Sequence, residues 1–358
     1  MLRRLTTTAL LLLLISCSAF AWSAKEHLII TRIAIGRLIA DPTTPPEMKK
    51  WLIDSGGKAL DLAAEKRFLL DEHIGPFPRG ADGIPFWSVT PDLVKDADRR
   101  QRVLVPFNTV ESKLHFIDLE LMNSDPQRRM YADNLSRKPA WADLPHDIND
   151  PRYRSAGMLP FAVEVHYANQ VRSIRAGRLL DKPGQYPRED HAVKWAGVLA
   201  HYLSDNTQPQ HATEDFKSQS YFGNGVRTPD IHADVEYRLL DDPDDDYMEL
   251  RREFWPLLLK ALGESDPPTS NDPWKSTIEV ALISYDALPM IGRAAKAAYP
   301  DAGQSGPGKW RPDIFFHYRG RYLGREMSVM EMKAHQLAWA VHRVQWALTQ
   351  AWGERAGK

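Results

Sequence analysis

Apolar residues recur at intervals of three and four along much of this chain, the period of amphipathic helices. Residues 26–40 set Leu28, Ile29, Ile33, Leu38 and Ile39 among polar partners, and residues 190–206 repeat the spacing with Val193, Trp195, Leu199 and Leu203. Further stretches run at about 161–180, 246–263, 274–298 and 327–353, the last carrying Met332, Leu337, Val341, Val344, Trp346 and Leu348. Long alternating strand runs are absent. Loops rich in Pro, Gly and Asp separate the periodic stretches at 71–92, 143–157, 181–190, 217–231, 241–245, 264–273 and 300–313. With no internal repeat and no low-complexity linker, the pattern predicts an all-α fold: a single mainly helical domain with long loops over residues 22–358.

The first 21 residues follow a different rule. Arg3 and Arg4 precede an apolar run from about Ala9 to Ile15, and Ala19-Phe20-Ala21 forms a small-x-small cleavage site. This is the layout of a secretory signal peptide, predicting a secreted or periplasmic product that starts at Trp22. The apolar run is well short of the ~20 residues that span a bilayer, and no later segment reaches that length, so no transmembrane segment is expected. Leu14-Ile15-Ser16-Cys17 also resembles a lipoprotein cleavage box, the less favoured reading, in which Cys17 would be the N-terminus.

Cleavage after Ala21 removes the only cysteine, so stability must come from the core and from bound metal rather than from disulfides. It also takes 46 basic residues to 44 against 47 acidic ones. That balance excludes the basic field that drives strong duplex binding. With 43 % hydrophobic residues the chain has ample material for a core, and disorder is excluded as the default.

Among the polar positions one cluster stands apart. His201, Asp205, His211, His232 and Glu236 lie within 36 positions. His201 and Asp205 are four apart, as are His232 and Glu236, which on a helix stacks each imidazole and carboxylate on one face. Pro209 ends the first helix soon after Asp205, so His211 falls in a turn or at the start of the next element. Taken singly, such a pair is more often a solvated helix pair than a ligand set. Mixed imidazole and carboxylate shells suit zinc, and these pairs together with His211 could hold more than one ion.

Read with the rest of the chain, the segments resemble the trinuclear-zinc superfamily of single-strand nucleases and bacterial zinc-dependent phospholipases C. The resemblance is carried, in order, by Trp22 followed by His27, His115-Phe116-Ile117-Asp118, the HYLSD…QPQHA run at 201–212 and the final His232…Glu236. It implies three zinc ions: one held by the Trp22 amine and carbonyl, His27 and Asp205; one by an upstream Asp, His115, His201 and a bridging Asp205; one by His211, His232 and Glu236. Asp92, in Thr90-Pro91-Asp92-Leu93-Val94-Lys95, fits the upstream position without the expected Trp and would also orient the attacking water as base; Asp98 is its rival. Trp141-Ala142-Asp143 has the letters but the wrong order.

Three cations neutralise phosphoryl oxygens and generate a nucleophile at neutral pH, so the implied activity is phosphoester hydrolysis. Phe116 and Asp118 match the nuclease segment, in which the aromatic stacks on a base and the carboxylate meets its edge; stacking needs no basic surface. Glu236, by contrast, is the phospholipase choice, and Tyr237 replaces the nuclease Asn; Gly223-Asn224-Gly225 is at most a remnant of the nuclease glycine segment. The expectation is a nuclease acting on single-stranded nucleic acid or nucleotides, with a phospholipase C acting on phospholipid headgroups as the alternative. A non-catalytic secreted protein stabilised by zinc is the second alternative. No protein partner is evident. His73, His146, His166, His191, His317, His335 and His342 show no comparable partners and are expected as structural or surface histidines, and Arg99, Arg100 and Arg102 as a solvated face.

Overall fold

The computed structural model describes residues 22–74, 82–94, 111–124, 137–182, 190–222, 226, 228–242, 247–300 and 309–356. The expected signal peptide, Lys95, Asp98, the three arginines that follow it and Gly223–Gly225 lie outside these. From the N-terminus the helices are α1 (Ala24–Ala40), α2 (Pro46–Asp54), α3 (Leu62–Asp71), α4 (Gly83–Trp87), α5 (Thr90–Val94), α6 (Leu119–Met122), α7 (Tyr153–Ala156) and α8 (Leu159–Arg175). There follow α9 (Ala192–Asp205), α10 (Ile231–Ala233), α11 (Leu239–Asp241), α12 (Met248–Ala261), α13 (Pro273–Tyr285), α14 (Leu288–Ala298), α15 (Pro312–His317) and α16 (Val329–Gly353). One antiparallel hairpin, β1 (Arg319–Tyr322) and β2 (Arg325–Ser328), is the sheet content of the described residues. The fold is mainly helical, as the periodicity predicts.

The helix starts are chemically marked. Ser23 and Glu26 form a reciprocal capping box at α1: Ser23 N donates to Glu26 Oε2 at 2.7 Å and Glu26 N to Ser23 Oγ at 3.3 Å. Ser328 and Glu331 do the same for α16. The stretch expected as one helix over 274–298 is two. Pro289 disfavours a helix continuous with Tyr285, because its ring would crowd the carbonyl four residues back; α13 ends at Tyr285 and Pro289 sits in the first turn of α14.

The segment 71–92, expected as loop, contains α4 and the start of α5, helices of five residues that are too short to display a period. The hairpin escapes sequence detection for the same reason, each strand being four residues long, and α16 begins only after it.

α9 is the axis of the core: every residue from Ala192 to Asp205 is buried, and it packs on α8, α4, α16 and α1. Gly197 lets α4 come close. A Cβ there would lie 2.4 Å from Trp87 Cβ and 2.5 Å from the Ile84 carbonyl oxygen. That approach delivers the α4–α5 segment, including the Ser88 carbonyl and Asp92, to the C-terminal half of α9.

Candidate metal centre

α9 brings His201 and Asp205 one turn apart on a fully buried face, Nε2 to Oδ2 3.2 Å. His201 Nδ1 lies 2.8 Å from the Ser88 carbonyl oxygen, which can only accept, so Nδ1 carries the proton and Nε2 presents its lone pair inward. His115, at the end of a 3₁₀ turn (Glu111–Leu114), enters from the other side. Its Nδ1 is 3.0 Å from Asp205 Oδ2 and 3.1 Å from His201 Nε2. From α1, His27 stacks on the His201 ring at 4.0 Å between centroids and sets Nε2 3.4 Å from Asp205 Oδ1. Asp92, on α5, lies 3.8 Å from both His27 Nε2 and His115 Nδ1.

A neighbouring group forms around the Glu236 carboxylate, whose Oε1 lies 3.5 Å from both His211 Nε2 and His232 Nε2. Glu236 sits in a π turn (Asp234–Arg238) that continues α10, and the i, i+4 pair survives the wider turn. His211 lies in a 3₁₀ turn (Pro209–Ala212), capped by the Gln208 side chain and started by Pro209, as the proline implies. The groups are tied together through the main chain. His211 Nδ1 donates to the His115 carbonyl at 2.6 Å, and Ile117 N donates to the His211 carbonyl at 2.9 Å.

These eight side chains fall into three groups, the first two sharing His201, and within each group the donor atoms all lie within 4.8 Å of one another: His27, His201 and Asp205; Asp92, His115 and His201; His211, His232 and Glu236. None of the eight is more than 7 % exposed. Donors at ~2.0–2.2 Å from a tetrahedral ion lie roughly 3.3–3.6 Å apart. The first group at 3.2 and 3.4 Å and the third at 3.5 and 3.5 Å fall on or near that range and fit a metal ion; in the second, Asp92 stands 3.8 Å from His115 and His115 3.1 Å from His201. The field is arranged for cations. Burial works against protonation of His201, yet the Asp205 and Asp92 carboxylates outweigh it and hold its pKa above the ordinary value.

Trp22 is fully buried, its indole Nε1 donating to the Ser204 carbonyl at 2.7 Å, next in the chain to Asp205. One turn on, His27 N donates to the Ser23 carbonyl at 2.9 Å, so the capped start of α1 fixes Trp22 and His27 relative to each other. Phe116 and Asp118 are half-buried beyond His115 and belong to none of the three groups. The Phe116 ring lies under Lys113 Nζ at 5.0 Å, and its main chain fits against Gly157, where φ is +95° and a Cβ would fall 2.2 Å from the Phe116 carbonyl oxygen. Burial, then the nearby Glu120, push the Asp118 carboxyl up to about 8. Trp141 and Asp143 occupy an unrelated 3₁₀ turn.

Sequence reasoning passed over several residues at this site. Glu111 is buried and hydrogen-bonded to Tyr202, its carboxyl pushed up to about 7 mainly by burial; its distance of four from His115 was the available signal. Phe216 meets the His232 ring edge-on at 5.3 Å. Lys333, hydrogen-bonded to Glu26 and to the Val235 carbonyl, left no local signal.

Among the described residues none of the remaining histidines joins a three-donor group; His73, His146, His191, His317, His335 and His342 each lie within 4 Å of one carboxylate, and His166 is buried against aromatic rings. Only paired side chains four or fewer positions apart can be read from local spacing, and none of these pairs is that close.

Comparison with protein-family models gives no match, and comparison with characterised proteins gives no relative. The functional reading therefore rests on the residues themselves.

Proposed function

We propose that this chain is a zinc-dependent phosphoester hydrolase acting on single-stranded nucleic acid. The observation that carries the reading is the convergence, from α1, α5, α9, the 111–118 segment and the 209–236 segment, of eight buried imidazoles and carboxylates at metal-donor spacing. The His27, His115/His201 and His211/His232 groups would hold the ions, with the main-chain donors of Trp22 completing the first after cleavage at Ala21. Zinc bound there would supply Lewis acidity and a nucleophile at neutral pH.

The chain's own work is positional. Ser88 and His115, through their carbonyls, fix the tautomers of His201 and His211. Asp92 orients the water that attacks phosphorus and accepts its proton as the new P–O bond forms; the opposite P–O ester bond breaks and the leaving oxygen takes a proton from solvent. Phe116 offers a partly open aromatic face next to His115, and Asp118, neutral near pH 7 in the metal-free chain, can both donate to and accept from a base edge.

The second reading, hydrolysis of phospholipid headgroups, is favoured by one observation, the glutamate at 236 closing the last group. Incubating the zinc-loaded protein with single-stranded DNA, RNA and phosphatidylcholine vesicles separates the cases. Nucleotide release supports the first reading and diacylglycerol release the second. Bound zinc with no hydrolysis of any substrate would leave a metal-stabilised scaffold.

A further inference from the structure

We infer that Lys333 is a positioning residue for the metal centre: its buried ammonium joins the first turn of α1 to the π turn bearing Glu236, and so sets the two ends of the site relative to each other. The inference rests on the metal-binding reading of that site.

Lys333 lies in the second turn of α16 and is fully buried. An ammonium without water needs partners for its three N–H groups. It donates to the Glu26 carboxylate and to the Val235 carbonyl, and the Trp22 ring lies beneath it at 4.9 Å. Each partner is an expected ligand or stands next to one: Glu26 precedes His27, Val235 precedes Glu236, and Trp22 is itself the residue whose main chain completes the first group. The Glu236 and Asp234 carboxylates add to the negative field at the ammonium.

Glu26 is the other half of the device. Its Oε2 accepts from Ser23 N at 2.7 Å while Oε1 accepts from Lys333, so one carboxylate both caps α1 and anchors it to α16. The tetrahedral ammonium reaches partners in three directions, which the planar fork of an arginine would not. A second buried lysine supports the same segment: Lys25 donates to the Leu240 carbonyl at 2.7 Å, but it touches neither Trp22 nor Glu26 through a hydrogen bond. Lys333 alone among the described lysines spans both ends of the site.

The test uses Lys333→Met and Glu26→Gln/Lys333→Met in the purified protein, with two readouts: zinc retained against graded chelator, and thermal unfolding of the metal-stripped chain. Single substitution leaves Glu26 buried and uncompensated, so a loss of folding is expected to accompany it. The double variant removes both charges and is expected to unfold near the wild-type temperature when stripped. In the double variant zinc held by the Trp22/His27 and Glu236 groups should dissociate at about 10- to 100-fold lower chelator concentration, while zinc at Asp92, His115 and His201 is retained as in wild type.

Wild-type zinc retention in the double variant would overturn the inference, as would a double variant that fails to fold, since either result makes the clasp purely structural. A wild-type protein that binds no zinc would overturn the metal reading itself, and it would show before any substitution is made.

Discussion

His201 and His166 face the same tyrosine from different sides, and both are fully buried. His201 meets the Tyr202 ring edge-on at 5.2 Å; His166, from α8, stacks on it at 5.3 Å and on Trp195 at 5.4 Å. Their chemistry is opposite. On the His201 side two carboxylates hold the imidazole pKa above its ordinary value. On the His166 side burial, helped by the Lys194 and His201 charges, pulls it from 6.5 to about 3, and neither ring nitrogen has a hydrogen-bond partner among the described residues. Burying histidine therefore does not make a metal site. What makes one is the carboxylate buried with it, and Asp205 is the residue that separates the two regions.

Breaking that difference directly should have the largest effect. Asp205→Asn makes the His201 side resemble the His166 side. Zinc held by the His27 group should be lost, and phosphoester hydrolysis should fall by more than the ~100-fold typical of losing an outer-shell partner. Zinc analysis and turnover of the purified variant check this; wild-type values for both would refute the role of the carboxylate.

The His166 side predicts an effect on stability. Folded His166 stays neutral down to about pH 3, whereas the unfolded chain takes up its proton near 6.5, so the unfolded state binds more protons between those values. Stability from this group is complete above 6.5 and declines as pH falls, by up to ~1.4 kcal/mol per unit. His166→Phe keeps the stack and removes the titration. Urea unfolding of the metal-stripped proteins at pH 6.5 and 4.5 should show the variant gaining roughly 2–3 kcal/mol on wild type. Parallel curves would show that His166 is protonated when folded.

Phe116→Ala is the finest probe, because Phe116 belongs to none of the three donor groups. It should weaken use of single-stranded substrates by ~1–3 kcal/mol per stacked base, seen in KM, and leave zinc content unchanged. An unchanged KM would remove the main support for nucleic acid over phospholipid.

How far these features could be read in advance depends on distance along the chain. α9 was legible because fourteen residues suffice to display a helical period, and the His201/Asp205 and His232/Glu236 pairs because their partners are four apart. Asp92 was legible as a residue type in a motif, but not as part of a helix, since α5 is only five residues long. The Lys333–Glu26 contact joins positions 307 apart and has no expression in local pattern. His166 shows the same rule from the other side: Ala162 and Gln170 stand four residues away where His201 has Asp205, and the ring is buried as a neutral, structural histidine.

Metal held by the three donor groups is the premise of the proposed hydrolase. Crystals of the processed protein grown with zinc, measured on either side of the zinc absorption edge, are predicted to show anomalous peaks within ~2.0–2.2 Å of the ring nitrogens and carboxylates of the His27, His115/His201 and His211/His232 groups. Crystals in which all three groups are well ordered and no anomalous density appears at any of them would contradict it.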